Sequence, residues 1–457
     1  MPQATPRRIL ILTELGLTTL ASCPLDIHLL ILQRFTRLFA YGASTLILVS
    51  YLESLGHSRT RSGLFMTLTL AGDILISFFL TLTADKIGRK ATLAAGAVLM
   101  ALSGVAFALL QNYWLLLAAA VFGVISPSGN EIGPFRAVEE SIVAHLTTHD
   151  QRSDVYAWYT LLGTAGTAFG IMACGWATHA LVAAGRGLGE AYRLLFAGYA
   201  LLGVVKLLLT LALSPAVEAD RTKRNGPRSE SEPLLNGQTA APEEVPANAR
   251  PTWASLVPHV TAESRAIAAT LCLLFGLDAF ASGLAPLSWV TFYFRSRFDI
   301  EEGRLGSIFF ATSLISAASV VVASSISKRL GNVKTMVFTH LPSSMFLALI
   351  PVPSNLFLSL SLLALRACTQ SMDVAPRSAF LAAIFLPSER TAVMGLVNVV
   401  KTSAQSLGPL ITGVLANHHL FWVSFVCAGS LKVCYDLGLL VVFKEREQRR
   451  AGDEETT

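Results

Sequence analysis

Charged residues are scarce in this chain. Asp, Glu, Lys and Arg make up only 14% of its 457 residues, whereas 53% are hydrophobic, and the mean hydropathy is +0.56. A water-soluble fold of this composition would have too little polar surface to cover its core. The composition therefore excludes an ordinary soluble protein and predicts that lipid surrounds most of the chain.

Sequence patterns of metal sites, disulfide frameworks and common hydrolases are also missing. The six cysteines contain no CxxC pair, and the chain has no HExxH, no GxSxG and no cluster of histidines. The formal net charge of +5 needs no nucleic acid to explain it, because basic residues flank membrane helices on the cytoplasmic side. We therefore expect no enzyme, no cofactor and no nucleic-acid partner.

Long apolar runs are what the sequence does contain. Each is about 20 residues long, enough to cross roughly 30 Å of hydrocarbon as a helix. Six runs precede a polar stretch and six follow it, which predicts an all-α membrane protein with twelve spans. The predicted spans are 35–55, 64–82, 91–110, 113–133, 155–176, 194–213, 267–292, 305–326, 335–352, 355–374, 392–415 and 421–443.

The runs divide the chain into two halves with polar segments around them. We predict an N-terminal bundle at 34–215 and a C-terminal bundle at 265–443. The segment 216–264 is rich in Glu, Arg, Asn, Pro and Ser, which is typical of a disordered linker. Residues 1–33 are expected to form a cytoplasmic leader, because Glu14, Pro24 and Asp26 interrupt their apolar sequence, and 444–457 a cytoplasmic tail.

Lys and Arg predict the orientation. Most of those in the connections fall on the side that holds both termini and the linker, which places that side in the cytoplasm. The linker also contains the sequence ESEPLL at 230–235. It resembles an acidic dileucine sorting signal of vacuolar or lysosomal membrane proteins, so the plasma membrane and the vacuolar membrane both stay open.

One short pattern occurs in both halves, near the end of the fourth and the tenth span. It combines an acid, a proline and an arginine, and proline removes a helix hydrogen bond in an apolar segment. Its repetition indicates a duplicated bundle around a shared polar path. These candidate gating residues are Glu131, Pro134 and Arg136 in the first half and Asp373, Pro376 and Arg377 in the second.

The sequence ADKIGRK at 84–90, between the second and third spans, resembles the signature loop of the major facilitator superfamily. A weaker echo, KRLGN, follows the eighth span at 328–332, and Thr81 departs from the glycine usual in the family. The resemblance is to eukaryotic, fungal members. It implies two pseudo-symmetric six-helix bundles and a cytoplasmic gate braced by Asp85, Gly88 and Arg89. Asp85 is expected to bind the first backbone amides of the next helix or a nearby cation.

Charges in the middle of apolar spans are the strongest local indication of a site, because an unpaired charge there costs several kcal/mol. Asp73, Asp278, Arg366 and Lys401 lie in spans two, seven, ten and eleven, whose counterparts in the superfamily line the central cavity. We expect an Asp278–Arg366 ion pair and proton coupling at Asp73. Lys206, Lys432 and Asp436 lie in spans six and twelve, where lipid-facing snorkelling or a Lys432–Asp436 helix pair would explain them.

The functional prediction is a secondary transporter, expected to be a monomer, that moves a small molecule across the bilayer by alternating access. Proton-coupled export of a small organic compound, such as a drug or a secondary metabolite, is the first hypothesis. Asp73 and Asp278 would then titrate, and Arg366 and Lys401 would attract an anionic group. Proton-coupled uptake of an organic anion or nutrient is the second hypothesis. A membrane sensor that transports nothing is the alternative from another class.

Overall fold

The structure is a computed structural model that describes residues 16–123, 125–128, 134–218, 262–384 and 387–455. These residues form α-helices, one 3-10 turn at Pro215–Val217 and connections, with no strand among them. The first half contains α1 Leu17–Ser22, α2 Leu25–Ser54, α3 Arg59–Ile87, α4 Arg89–Leu109, α5 Tyr113–Phe122, α6 Pro134–Leu146, α7 His149–Ala183 and α8 Leu188–Leu211. The second contains α9 Ala262–Leu284, α10 Leu287–Phe298, α11 Glu302–Leu330, α12 Asn332–Leu349, α13 Leu356–Thr369, α14 Val374–Ile384, α15 Pro387–Asn417 and α16 Phe421–Glu455.

Three crossings are broken into two helices each: α5 with α6, α9 with α10, and α13 with α14. By length and composition, seven helical stretches among the described residues are able to cross a membrane, and α5 and α13 are apolar but shorter. With the broken crossings counted once, each half makes six crossings, so the predicted twelve are confirmed. The described linker residues are few, because 219–261 lie outside the described part.

The breaks in the fourth and tenth crossings coincide with the repeated pattern. Pro134 is the first residue of α6, and Pro376 lies in the first turn of α14. Proline is accommodated at these positions because the first amides of a helix have no intrahelical acceptor. The duplication is thus visible as two helices interrupted at corresponding places.

The first crossing begins earlier than the sequence predicted. Helix α2 starts at Leu25, inside the segment assigned to a leader, and buries Asp26 and Arg37. Asp26 accepts hydrogen bonds from the backbone and side chain of Ser214, at 2.8 and 2.6 Å. The predicted start of the first span was wrong because Asp26 was taken as a sign of a loop. In the structure Asp26 is inside the helix, and its partner Ser214 lies far along the chain.

Glycine allows the tightest packing of the first half. An added Cβ at Gly170 on α7 would overlap the Phe39 carbonyl of α2, and one at Gly163 would overlap Arg34. The two helices therefore pack at backbone distance, which the missing side chains of these glycines allow.

The two halves meet near the helix ends that the distribution of Lys and Arg predicts to lie on the side away from the cytoplasm, along a surface that we call the outer seam. Tyr192 donates to Glu302 at 3.0 Å, and the Trp176 indole donates to Ser307 at 2.9 Å. Arg295 of the second half holds Glu302 at 2.9 Å. Beside this polar contact, Gly63 on α3 lies against α15 with no room for a Cβ. The seam therefore closes the outer side between the halves.

Candidate functional site

A cavity of about 610 Å³ lies between the halves. It extends from the level of the broken α9–α10 crossing to Arg34 and Arg136, which lie toward the N-terminal ends of α2 and α6. In the orientation that Lys and Arg predict, a closed outer seam leaves the cavity facing the cytoplasm.

Hydroxyl and amide groups dominate the polar lining, and no Asp or Glu is among the described residues that line the cavity. The cationic side chains at its surface are Arg34, Arg136, Arg366 and Lys432. The hydroxyl and amide residues are Ser128, Thr160, Thr164, Thr167, Ser282, Thr312, Ser313, Ser316, Ser343, Gln370, Ser371 and Gln405. Such a lining suits a hydrophilic molecule that carries negative charge.

Arg366 is the predicted cavity residue that the structure places at the cavity surface. Among the described residues we observe no ion pair and no side-chain hydrogen bond for its guanidinium. One helical turn further along α13, Gln370 donates to Ser316 at 3.3 Å, and Ser316 bonds with Ser371. This wall therefore presents a cation beside a row of neutral hydrogen-bonding groups.

The facing wall belongs to the first half. The Arg34 guanidinium carbon lies 4.0 Å from the centroid of the Tyr159 ring, and Arg136 pairs with Glu140 at 2.6 Å. The Arg136–Glu140 pair is partly exposed, with 47% and 32% of the two side chains accessible, so it binds weakly. Both arginines line the cavity, Arg34 as a buried side chain that is 4% exposed and Arg136 as an exposed one.

Behind the C-terminal wall lies a group of charged residues that we call the C-half cluster. Asp278 on α9 binds Lys432 of α16 at 2.6 Å and Arg377 of α14 at 3.4 Å, and Arg377 also pairs with Asp373. Lys432 donates in addition to Ser282, at 2.7 Å. The cluster consists of Asp278, Asp373, Arg377, Lys401, Lys432 and Asp436.

Two predictions about these charges are wrong. Asp278 pairs with Lys432 and Arg377, and not with Arg366. Lys432 and Asp436 do not pair with each other across one turn and do not face lipid, because both are buried against α9 and α12. Lys206 is also 1% exposed and lies 5.2 Å from the Phe135 ring centroid, so snorkelling does not explain it.

His340 on α12 is a cavity residue that the sequence analysis missed. Its Nδ1 lies 2.9 Å from Asp436 Oδ1 and 3.0 Å from Oδ2, and Ser344 donates to the same carboxylate at 3.1 Å. The side chain is 5% exposed, and His340 contributes to the cavity lining together with Lys432. A histidine in the middle of an apolar run was the available signal.

The first half contains a different arrangement, the N-half pair of Arg37 and Glu139. Two parallel contacts of 2.6 and 2.7 Å join the guanidinium of Arg37 to the Glu139 carboxylate, and Tyr159 donates to Glu139 at 2.6 Å. Their side chains are 1% and 0% exposed. Glu139 lies about a hundred residues from Arg37 in sequence, so local sequence patterns do not reveal this pair.

Asp73 and Lys401 do not contribute to the cavity lining. Asp73 is 5% exposed on α3, and its Oδ1 has no hydrogen-bond partner among the described residues. Lys401 on α15 lies 5.8 Å from the Phe275 ring centroid, and its charge interacts with Asp278 and Asp373. Lys401 therefore belongs to the C-half cluster, and the roles predicted for both residues stay predictions.

The loop between α3 and α4 is held by the start of the linker. Gly88 has a φ of 103°, a conformation that favours glycine, and it precedes α4. Glu218 accepts hydrogen bonds from the backbone amides of Arg89 and Lys90 at 2.9 and 3.0 Å, and Lys90 donates to the Leu211 carbonyl at 2.9 Å. The acid that binds these first amides is thus Glu218, whereas the sequence analysis expected Asp85. The side chain of Asp85 lies outside the described residues.

The other candidate gating residues occupy different settings. Glu131 lies outside the described residues, and of Pro134 only the backbone is described. Pro376 is buried, and Asp373 and Arg377 belong to the C-half cluster. Arg377 therefore connects the repeated pattern to Asp278. A gating role for these residues is still a prediction.

Sequence comparison decides the family. A family model described as Major Facilitator Superfamily matches residues 30–367 and 271–456. The chain belongs to this superfamily. It is also 36% identical over 427 residues to a protein of Saccharomyces cerevisiae named "Uncharacterized membrane protein YJR124C", covering 92% of this chain and 94% of the yeast protein. The predicted family and its fungal character are confirmed, and the chain is an integral multi-pass membrane transporter.

Solved structures of the superfamily share the fold. The nucleoside transporter NupG aligns with a TM-score of 0.67 and 13% identity over 92% of this chain and 99% of its own. The inward-open xylose transporter XylE from E. coli aligns with a TM-score of 0.65 and 14% identity over 91% and 96%. At such identities the likeness establishes the architecture of two six-helix halves and does not identify the substrate.

Proposed function

We propose that this chain carries a small hydrophilic organic anion into the cytoplasm together with protons. The observation that carries the proposal is Arg366, a mid-span cation with no ion pair among the described residues, in a cavity whose described lining contains no acid. A cation in such a place is costly unless something compensates its charge. A substrate carboxylate or phosphate would supply that compensation while it is bound.

The lining also supports this substrate class over the drug-like cargo of the export hypothesis. Apolar or cationic compounds would gain little from a wall of hydroxyl groups and arginines, and no described carboxylate is at hand to bind a cation. Hydroxyl and amide groups hydrogen-bond well to a polyhydroxylated or carboxylated solute. The cavity volume of about 610 Å³ suits a molecule of that size.

Alternating access would proceed by opening the outer seam and closing the cytoplasmic end of the cavity. The seam holds the halves by a few polar contacts around Glu302 and by close helix packing at Gly63. Contacts of this kind form and break at modest cost. A purely sensory role has less support, because a cavity between two movable halves is what transport requires.

The direct test is uptake into proteoliposomes by the purified, full-length protein. Succinate, citrate and glucose 6-phosphate serve as anions, glucose as a neutral solute and tetraphenylphosphonium as a cation. We expect inward movement of at least one anion, faster with acid outside, and none of the other two compounds. Export of the cation or of glucose would contradict the proposal, and a complete lack of transport would revive the sensor hypothesis.

Arg366→Gln tests the residue that carries the proposal. Loss of a charge-assisted hydrogen bond costs about 1.5–3 kcal/mol, so the KM for the anion should rise at least about tenfold. The matched control is Arg304→Gln, which removes an exposed arginine at the start of α11. Equal KM values in Arg366→Gln, Arg304→Gln and the wild type would show that Arg366 does not bind the substrate.

A further inference from the structure

We propose that His340 is the group that takes up the co-transported proton, in place of the predicted Asp73. This inference rests on the proposed anion transport and adds the site of coupling. Three observations support it: the position of His340 at the cavity wall, its fixed partner Asp436, and the charge balance of the C-half cluster.

The geometry leaves one nitrogen of His340 for exchange. Asp436 occupies Nδ1 at 2.9 Å, and Ser344 fixes the carboxylate from the next turn of α12. A ring held in this way donates from Nδ1, so Nε2 is the nitrogen that gains or loses a proton. Because His340 belongs to the cavity lining, a proton can reach it from the same water that admits the substrate.

In this proposal His340, which is hydrogen-bonded to Asp436 of the C-half cluster, is the residue whose protonation changes. The cluster contains three carboxylates, Asp278, Asp373 and Asp436, and three cations, Arg377, Lys401 and Lys432, so its formal charge is zero with His340 neutral. A proton on His340 gives the cluster one positive charge beside the cavity. That charge attracts an anion, and by linkage a bound anion favours protonation of His340 to the same extent.

Charged and titratable groups on several helices surround His340 and contribute to the electrostatic potential at its ring. Its ring lies 6.0 Å from that of Tyr435, which is on α16 with Lys432 and Asp436. The titratable and charged groups are Lys432, Tyr435 and Asp436 on α16, Asp278 on α9, Arg366 on α13, Asp373 and Arg377 on α14 and Lys401 on α15. None of these acids is in the described cavity lining: Asp278 and Asp373 pair with cations, and Asp436 binds His340 and Ser344.

Asp73 is the competing proton site, and it lacks two of these properties. It is buried on α3 and does not line the cavity, and no cation lies within ion-pair distance of it among the described residues. Asp278 is not in the described cavity lining, whereas its partner Lys432 is. Asp278 also pairs with a second cation, Arg377. Of Asp73, Asp278 and His340, only His340 both lines the cavity and hydrogen-bonds to a carboxylate partner.

The coupled step is a proton transfer without other chemistry. In the outward-facing state, Nε2 of neutral His340 accepts a proton from cavity water, and the imidazolium keeps its hydrogen bond to Asp436. The anion binds to Arg366 in the field of this added charge. In the inward-facing state the anion leaves to the cytoplasm, the field that favoured the proton is lost, and Nε2 returns the proton to water.

The test compares wild type, His340→Gln, Asp73→Asn and His418→Gln, a control at an exposed outer turn. Binding of succinate, citrate and glucose 6-phosphate is measured at pH 5.5 and 7.5, and their accumulation under an inward proton gradient. One linked proton strengthens binding by up to about tenfold per pH unit. We expect this dependence in wild type, Asp73→Asn and His418→Gln, and a change below about twofold in His340→Gln, which should not accumulate the anion.

Proton uptake gives a second, direct readout. Addition of the transported anion to weakly buffered protein in detergent should remove about one proton from solution per bound anion, and His340→Gln should remove none. The inference is overturned if His340→Gln keeps the wild-type pH dependence, or if Asp73→Asn alone loses it. If none of the three anions moves in the wild type, the proposed function itself fails.

A folding defect is separated from loss of coupling by Asp436→Asn. This variant keeps a hydrogen-bonding side chain of the same size but removes the charge that stabilises the imidazolium. It should bind the anion with a weakened pH dependence. Should it fold and retain the full dependence, His340 does not act through Asp436 and the inference is wrong.

Discussion

The two halves bury their charges in opposite ways. The N-half pair is closed: Arg37 and Glu139 satisfy each other through two contacts, and their side chains are 1% and 0% exposed. In the C-half cluster one carboxylate has two partners: Asp278 pairs with both Lys432 and Arg377. Lys432 also lines the cavity. A closed pair suits a fixed brace between helices, whereas a shared carboxylate has alternatives when a ligand arrives. The difference supports the proposal that the charges of the second half take part in substrate and proton binding.

The largest expected effect is loss of the N-half brace. Glu139→Gln leaves the Arg37 charge buried without its carboxylate, which should lower the free energy of unfolding by about 3–5 kcal/mol. Thermal and denaturant unfolding in detergent measure this. The adjacent Glu140→Gln is the matched control, because the Arg136–Glu140 pair is partly exposed and worth at most about 1 kcal/mol. Similar stability of the two variants would refute the distinction between a closed pair and a surface pair.

Lys432→Met is the corresponding change in the C-half cluster, and its effect should fall on transport. Asp278 keeps Arg377 at 3.4 Å, so we expect a smaller stability loss of about 1–3 kcal/mol. Anion transport should fall at least about tenfold, because the second-half wall of the cavity loses Lys432, which is the cation beside Arg366 in its described lining. Unfolding curves and initial uptake rates on the same preparation separate the two effects. A stability loss as large as that of Glu139→Gln would make Lys432 another fixed brace.

The smallest effect comes from the hydroxyl groups that fix each carboxylate. Tyr159→Phe removes a 2.6 Å hydrogen bond to Glu139, and Ser344→Ala removes a 3.1 Å bond to Asp436. Each should cost about 1 kcal/mol of stability. Only Ser344→Ala should also shift the pH dependence of anion uptake. The comparison fails if Tyr159→Phe shifts the pH profile equally.

The sequence predicted the architecture because its signals are local. Apolar runs of membrane-spanning length and a proline near the end of two of them depend on neighbouring residues only. The partners of Arg37, Asp278 and His340 lie in other helices and many residues away, so one sequence does not reveal them. The start of the first helix was missed for the same reason, since Asp26 is satisfied by Ser214.

The contact of Glu218 with the first amides of α4 has a practical consequence for how the protein can be produced. Lys90 reaches the last carbonyls of α8 while Glu218 reaches back to α4, so the ends of two crossings are completed within one half. A polypeptide that stops directly after Glu218 would keep both contacts. Two separately expressed chains, divided at that point, should assemble into a working protein, and a division placed before Glu218 should assemble poorly.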